Sequence, residues 1–397
     1  MKRANLKLTS FLLLVFTSGL VSAQQSNEIN VVTSAVPFLR ISPDARSGGM
    51  GDVGIATAPD ANSGFWNLAK TPFNTIQGGI SLTYTPWLKD LGLNDVNLIT
   101  AGGYYKLDEM QAMTASLRYF NLGSLQFTDF QGNPLGEYRP REFSFDVGYS
   151  RKLSTKLGIG VALRYINSRL ASGDLGSGTT YKPGTSVAGD LSLFHTSEDE
   201  KGEGLNYGIA ISNLGAKIAY TNDATQKDYI PTNLGLGIAY TKVVDEANKV
   251  TFGLDVHKLL VPTPPISTGD EEVDQANLEK YRSEGVVSSW FKSFGDAPGG
   301  FGEEVKEFQI SAGAEYWYNN QFALRGGYFY EHPTKGNRKY FTLGAGLKYN
   351  TFGLNFSYLL PSGNGTNRNP LSNTLRFGLV FDFDGGDGSS TTATPSK

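Results

Sequence analysis

Cysteine is absent from the 397 residues. That excludes a disulfide framework, a thiolate metal site, a cysteine nucleophile and a lipoprotein-type export signal. Histidine is scarce, at three residues, and a net charge of -3 leaves no basic footprint for nucleic acid. Long apolar runs are missing too: the run over residues 11–21 falls short of the roughly 20 residues a membrane helix needs. Lys2, Arg3 and Lys7 precede that run and Val21-Ser22-Ala23 follows it, so residues 1–23 read as a secretory signal peptide. What the chain does have is 48 glycines, 12% aromatics and a mean hydropathy of -0.26. That mixture suits strands with one wet face and one apolar face.

From Ile76 onward the apolar period is two. Phe308, Ile310, Ala312, Ala314 and Tyr316 alternate with Gln309, Ser311, Gly313 and Glu315. The same phase recurs at Leu157 to Tyr165, at Phe341 to Tyr349 and at Leu375 to Phe383, a pattern that gives each strand one wet and one apolar face. We count fourteen such segments, starting near Ile76, Asp95, Glu109, Pro140, Thr155, Gly184, Gly204, Tyr229, Ala247, Lys306, Gln321, Arg338, Thr351 and Ser372. Links after even-numbered segments are mostly tight, and links after odd-numbered ones are mostly longer. Outer-membrane barrels alternate in that way, with the short turns periplasmic. The reading is all-β: a transmembrane antiparallel barrel of about fourteen strands, integral to a bacterial outer membrane, with long extracellular loops and periplasmic termini.

Four parts follow: signal peptide 1–23, a plug segment 24–75, the barrel 76–383 with its longest loop at 259–305, and a polar tail 384–397. The plug is expected to enter the barrel from the periplasmic side. Within it, Gly49, Gly51 and Gly54 match G-x-G-x-x-G, but no strand leads in and no βαβ unit follows, so tight main-chain packing is the better reading. Asp52 belongs to the same turn. Asp60 is placed to cap a short helix running towards Ala69, with Phe65 and Trp66 as packing anchors and Asn67 beside them. Inward phase assigns Arg118, Arg164, Arg325, Lys348 and Arg376 to the lumen beside Asp146, Asp190, Asp255, Glu315 and Asp382. Balanced signs point to a paired network filling the interior, with Gly158, Gly160, Gly235, Gly237, Gly344 and Gly346 making room for the plug.

No cofactor or metal is expected, since Asp270-Glu271-Glu272 lacks the spaced oxygen ligands of a calcium loop and reads as a helix start. Catalysis is not expected either: His257 shares a strand face with Asp255, yet no serine falls beside it by spacing. The longest loop carries Trp290, Phe291, Phe294 and Phe301, with Asp296, Pro298 and Gly300 shaping it. Exposed aromatics there would form a partner surface; folded back, they would cover the barrel mouth.

The runs GGMGDVGIATAPDANSGFWN at 48–67, DAPGGF at 296–301, AEYWYNNQFALRGGYFYE at 314–331, GNRKYFTLGAGLKYN at 336–350 and NTLRFGLVFDF at 373–383 carry a resemblance. The chain resembles the PorV (LptO) family of the type IX secretion system of Bacteroidetes, within the wider barrel family typified by the fatty-acid channel FadL. One departure is Asn67-Leu68-Ala69 where the wider family usually has Asn-Pro-Ala. The resemblance implies a cargo-binding shuttle that takes secreted proteins by their C-terminal domain from the SprA translocon. It would hand them to an attachment complex containing the PorU sortase, surrounded by outer-membrane lipid and lipopolysaccharide. A FadL-like channel for hydrophobic ligands and a lipid A deacylase are the alternatives, discriminated by an apolar lumen and by a nucleophile beside a base.

Overall fold

The computed structural model describes residues 29–128, 131–174, 179–223, 226–360, 371 and 373–383. The expected signal peptide and polar tail lie outside the described residues. In chain order come β1 (Gly78–Pro86), β2 (Val96–Lys106) and β3 (Gln111–Leu122), then a loop hairpin of β4 (Leu125–Thr128) and β5 (Pro134–Tyr138). Next are β6 (Arg141–Lys152), β7 (Leu157–Arg169), a second loop hairpin of β8 (Gly173–Asp174) and β9 (Thr180–Tyr181), β10 (Gly184–Thr196) and β11 (Gly204–Gly215). The chain continues through β12 (Asn233–Val243), β13 (Asn248–Leu259), β14 (Gln309–Tyr318), β15 (Phe322–Tyr330), β16 (Lys339–Tyr349), β17 (Phe352–Leu360) and β18 (Leu375–Phe383). Leaving out the two loop hairpins, fourteen strands close into one antiparallel barrel, each beside its sequence neighbour. β1 seals it by pairing with β2 on one side and β18 on the other, so that Gly78 faces both Tyr105 and Phe383. Closure leaves the barrel without an exposed strand edge.

All fourteen barrel strands start within four residues of the positions read from the alternation. The alternation is physical: in β1, Ile80, Leu82 and Tyr84 stand outside and exposed while Ser81, Thr83 and Thr85 are buried inside. The same holds around the wall, where Leu163, Val187, Phe252, Leu324, Phe341 and Leu379 face out. Barrel strands of 9 to 13 residues suffice to cross a bilayer. Among the described residues no helix is long and apolar enough to span.

The segment ahead of β1 runs through the lumen, and in the opposite sense to the expectation. Near its start, Asn30 N donates to the Thr334 carbonyl (3.1 Å) and Ala35 N to that of Tyr229 (2.8 Å), both on long links. Val36, Phe38 and Leu39 then pack with Trp87, Leu98, Phe120, Ile166 and Ile230 at the same end of the barrel. At the far side, Phe73 lies under Lys152 and against Phe194, beside the short turns. The segment therefore descends from the long-link end to the short-turn end. An even strand count places the ends of β1 and β18 on the short-turn side, but it does not constrain a preceding stretch long enough to traverse the lumen.

A second correction is local. Asp60 caps no helix running to Ala69: the helix is one turn, Ser63–Trp66, preceded by Asn62. Asp60 Oδ1 instead accepts from Asn62 N at 2.9 Å. Asn67 is extended because its amide is drawn to the carbonyls of Ile55 (3.2 Å) and Leu193 (3.0 Å), and its Oδ1 caps the following turn Leu68–Phe73 through Ala69 N.

Candidate functional site

Two regions hold the candidate residues: the lumen segment and the long loop between β13 and β14. In the lumen segment, Asp44 caps the turn Ala45–Gly48 through Ser47 N (2.8 Å) and accepts the Trp66 indole N–H (2.7 Å). Arg46 then grips Glu315 on β14 with two bonds, 3.0 and 2.8 Å, and Asp60 at 2.9 Å. Arg325 reaches the same Glu315 at 2.6 Å. One buried carboxylate is thus shared by two guanidiniums, the geometry that repays desolvation.

The glycine run beyond Arg46 packs main chain on main chain. Gly49 lies against Gly344, and Gly51, at φ +70, lies against the Tyr328 backbone. The Met50 carbonyl sits where side chains of Gly313 and Gly327 would stand. The N–H groups that a phosphate would need are used by the wall: Gly51 N donates to Thr342 Oγ1 (2.8 Å), and Gly54 N and Ile55 N both donate to Asp255 Oδ2 (2.7 and 2.9 Å). Asp52, also at positive φ, accepts from the Tyr340 hydroxyl at 2.7 Å. Trp66 covers Gly54, and Phe65 lies against Gly102 with the Arg118 guanidinium 5.1 Å above its ring. Lys70, fully buried, donates to the carbonyls of Gly54 (2.6 Å) and Thr57 (3.1 Å).

The inward charges pair largely as their signs suggest: Arg164 with Asp146 and Asp190, Arg325 with Glu315, Lys348 with Asp382. Asp255 serves the segment's backbone instead. Gly158, Gly160, Gly235, Gly237 and Gly344 each lie against a lumen-segment residue, from Gly49 to Phe73, while Gly346 lies against Arg325. His257 bonds Asn233 (Nδ2 to Nδ1, 3.1 Å), His195 stacks on Tyr207 at 4.5 Å, and His332 bonds Thr334 at 2.9 Å. The one hydroxyl bonded in these contacts, Thr334's, meets His332 within a single turn of the chain. Among the described residues no three His, Asp or Glu side chains come together as a metal cluster.

The long loop is folded. Asp270 starts the helix Glu271–Ser283 by accepting from Glu272 N and Val273 N (3.0 and 3.3 Å), and the helix Val286–Lys292 follows. Beyond it, Asp296 accepts from Thr263 N and Oγ1 (3.2 and 3.1 Å), Pro298 lies in the turn, and Gly300, at φ +68, opens the turn Phe301–Glu304. Burial pushes the Asp296 carboxyl up, against the bonds from Thr263.

Two lysines of the barrel rim clamp this loop. Buried Lys258 meets Glu307 in a hydrogen bond of 2.7 Å and Glu304 in an ion pair of 2.6 Å, and buried Lys335 meets Glu303 at 2.6 Å and Glu307 at 3.0 Å. Burial lifts the Glu303 carboxyl, and the hydrogen bonds from Lys335 and Gly299 N together with the Lys335 and Lys306 charges more than offset it, leaving it below the ordinary range. The clamp was not among the residues picked from sequence. Its signal was partial: Glu303 and Glu307 stand at helical spacing directly ahead of a strand and Lys258 near the end of β13, while Lys335 lies in the turn Pro333–Lys335 between β15 and β16.

With its inner side clamped, the loop turns aromatics outward. Phe291 is 75% exposed and Phe301 84%, Phe294 is 46% exposed with Lys258 beneath its ring, and Trp290 is half-buried. These rings belong to a link on the long-link side, outside the strands whose exposed faces meet lipid.

Comparison with known proteins places this geometry. A scan of protein families matches residues 23–266, more than half of the chain, to the family described as type IX secretion system protein PorV. No curated protein matches the chain. Among solved structures, a deletion mutant of the TodX monoaromatic hydrocarbon channel is 13% identical with a TM-score of 0.51, covering 86% of this chain and 99% of its own. The toluene transporter TbuX of Ralstonia pickettii is 12% identical at 0.49, with 86% and 98% covered. A Pseudomonas aeruginosa FadL homologue is 11% identical at 0.44, with 89% and 98% covered. Identities this low speak for the fold alone, a FadL-like outer-membrane barrel. Together, the closed fourteen-strand wall and the family match put the chain in the outer membrane and make it a member of the PorV family of type IX secretion system proteins.

Proposed function

We propose that this protein is a cargo-binding shuttle of the type IX secretion system. It receives secreted proteins by their C-terminal domains from the SprA translocon and delivers them to the attachment complex containing PorU. The observation that supports it is the clamped loop with Phe291 and Phe301 turned to solvent on the long-link side. Exposed aromatics on a rigid support are the residues that dominate binding energy at protein interfaces. In this reading residues 1–23 direct export, residues 24–75 fill the lumen, and residues 384–397 hang in the periplasm. The PorV and FadL-like channel families are not enzymes, and the chain's role is to hold and present.

The printed names of the structural relatives offer passage of a hydrocarbon as a second reading. The arginine and carboxylate side chains in the lumen weigh against it, because an apolar ligand would strip them of water without replacing it. Replacing Phe291, Phe294 and Phe301 together with Ala decides between the two. The shuttle reading expects at least a tenfold loss of cargo co-purified from cells, with the barrel intact. Undiminished cargo capture, accompanied by hydrocarbon uptake into vesicles, would select the channel.

A further inference from the structure

Between the lumen segment and the long-link end, the interior keeps a cavity of about 180 Å³. Five arginines are among its lining residues, Arg40, Arg118, Arg164, Arg338 and Arg376, against a single acidic one, Asp52. Two of the five are answered from behind the lining: Arg164 by Asp146 and Asp190, and Arg338 by Glu331 at 2.8 Å. The other three have no carboxylate within ion-pair distance among the described residues. Arg40 donates to Gln309 Oε1 at 2.7 Å, and Arg118 donates to the Leu39 carbonyl. Arg376, 1% exposed, has Nε and Nη1 both buried without an acceptor, as is Nε of Arg118. Two serines of the same lining, Ser42 and Ser311, have hydroxyls that are likewise buried and unbonded. Asp52 keeps one oxygen on Tyr340 and the other, Oδ1, unpartnered.

Arginine cannot shed its proton at any physiological pH, so an unanswered buried guanidinium is an unsolved desolvation problem. We propose that this cavity is a binding site for a small oxyanion, held by Arg40, Arg118 and Arg376 with the hydroxyls of Ser42 and Ser311 donating to it. The planar guanidinium fork matches the oxygen pairs of phosphate and carboxylate. The volume is below the roughly 300 Å³ at which pockets for organic ligands begin. It suits a phosphate or a headgroup fragment, and an acyl chain is too large for it. Asp52 opposes the three cations and leaves an excess of two positive charges, which one anion of charge -1 or -2 reduces or cancels. The site does not depend on the shuttle reading, because it involves no residue of the outer loop.

The test uses the full chain in detergent at constant ionic strength, melted in chloride, in inorganic phosphate, in glycerol 3-phosphate and in acetate. An oxyanion that fills the cavity raises the melting temperature over chloride by about 3 °C or more at saturating concentration. Arg376→Gln and Arg118→Gln each weaken binding of radiolabelled phosphate at least tenfold while the barrel stays heat-modifiable on gels; two variants guard against one failing to fold. Stabilisation by inorganic phosphate identifies a free ion as the occupant, stabilisation by glycerol 3-phosphate alone identifies a lipid headgroup, and stabilisation by acetate identifies a carboxylate. Identical melting in all four salts, or phosphate binding unchanged in both variants, overturns the proposal.

Discussion

Gly327 carries no side chain, and the Met50 carbonyl and Gly51 nitrogen occupy the place where one would stand. Gly313 makes the same allowance on the neighbouring strand, so the wall is notched to the segment's main chain. Gly327→Val therefore pushes the segment out of its seat while leaving the ladder of β15 formed, at a cost of about 1–3 kcal/mol. The check is trypsin: cleavage after Arg46 and Lys70, both shielded in the parent, becomes fast in the variant while the barrel core resists. Asp255→Ala acts at the other grip, removing the acceptor of two backbone N–H groups for a loss of about 1–3 kcal/mol, seen as a lower melting temperature. The inward phase of these residues is legible from alternation alone. Their partners are not: Asp255 and Gly54 are 201 positions apart, and nothing in either neighbourhood names the other.

Elements depend on how the loop between β13 and β14 is pinned. Glu307 serves both Lys258 and Lys335, so Glu307→Gln leaves each buried lysine with one carboxylate. Removing one partner of a buried pair costs about 3–5 kcal/mol. A spin label at position 301 should turn from restricted to mobile in that variant, with the barrel's heat-modifiability kept. Acidity gives a second handle. The Glu303 carboxyl is held below its ordinary value, so its contribution is complete above about pH 4.5 and is lost as pH falls through its folded value. Asp296 is shifted the other way and opposes it, so the difference between the parent and Glu303→Gln isolates the effect. That difference in label mobility should be constant from pH 5.5 to 7.5 and vanish towards pH 3. Sequence reading finds the helix start at Asp270-Glu271-Glu272, yet it leaves out the hairpins β4–β5 and β8–β9, whose strands of two to five residues are too short for a period of two to register.

At the scale of the molecule, fourteen strands, their starts and their phase are legible because lipid outside and polar groups inside impose one rule on every strand. The sense in which residues ahead of β1 thread the lumen follows no such rule, and sequence reading has it reversed. Val36, Phe38 and Leu39 reach the long-link end because the apolar pocket formed by Trp87, Leu98, Phe120, Ile166 and Ile230 is there. An epitope placed at residue 29 should accordingly be accessible from the outside of intact cells once the loops are loosened by Glu307→Gln; labelling only after permeabilisation would contradict the threading. The proposed function rests on the face built on the long loop meeting secreted proteins. A photocrosslinking amino acid at position 301 in living cells probes that face: adducts with cargo C-terminal domains or with the translocon are the expected result, and irradiation that yields lipid adducts alone, at a site 84% exposed, would overturn the shuttle reading.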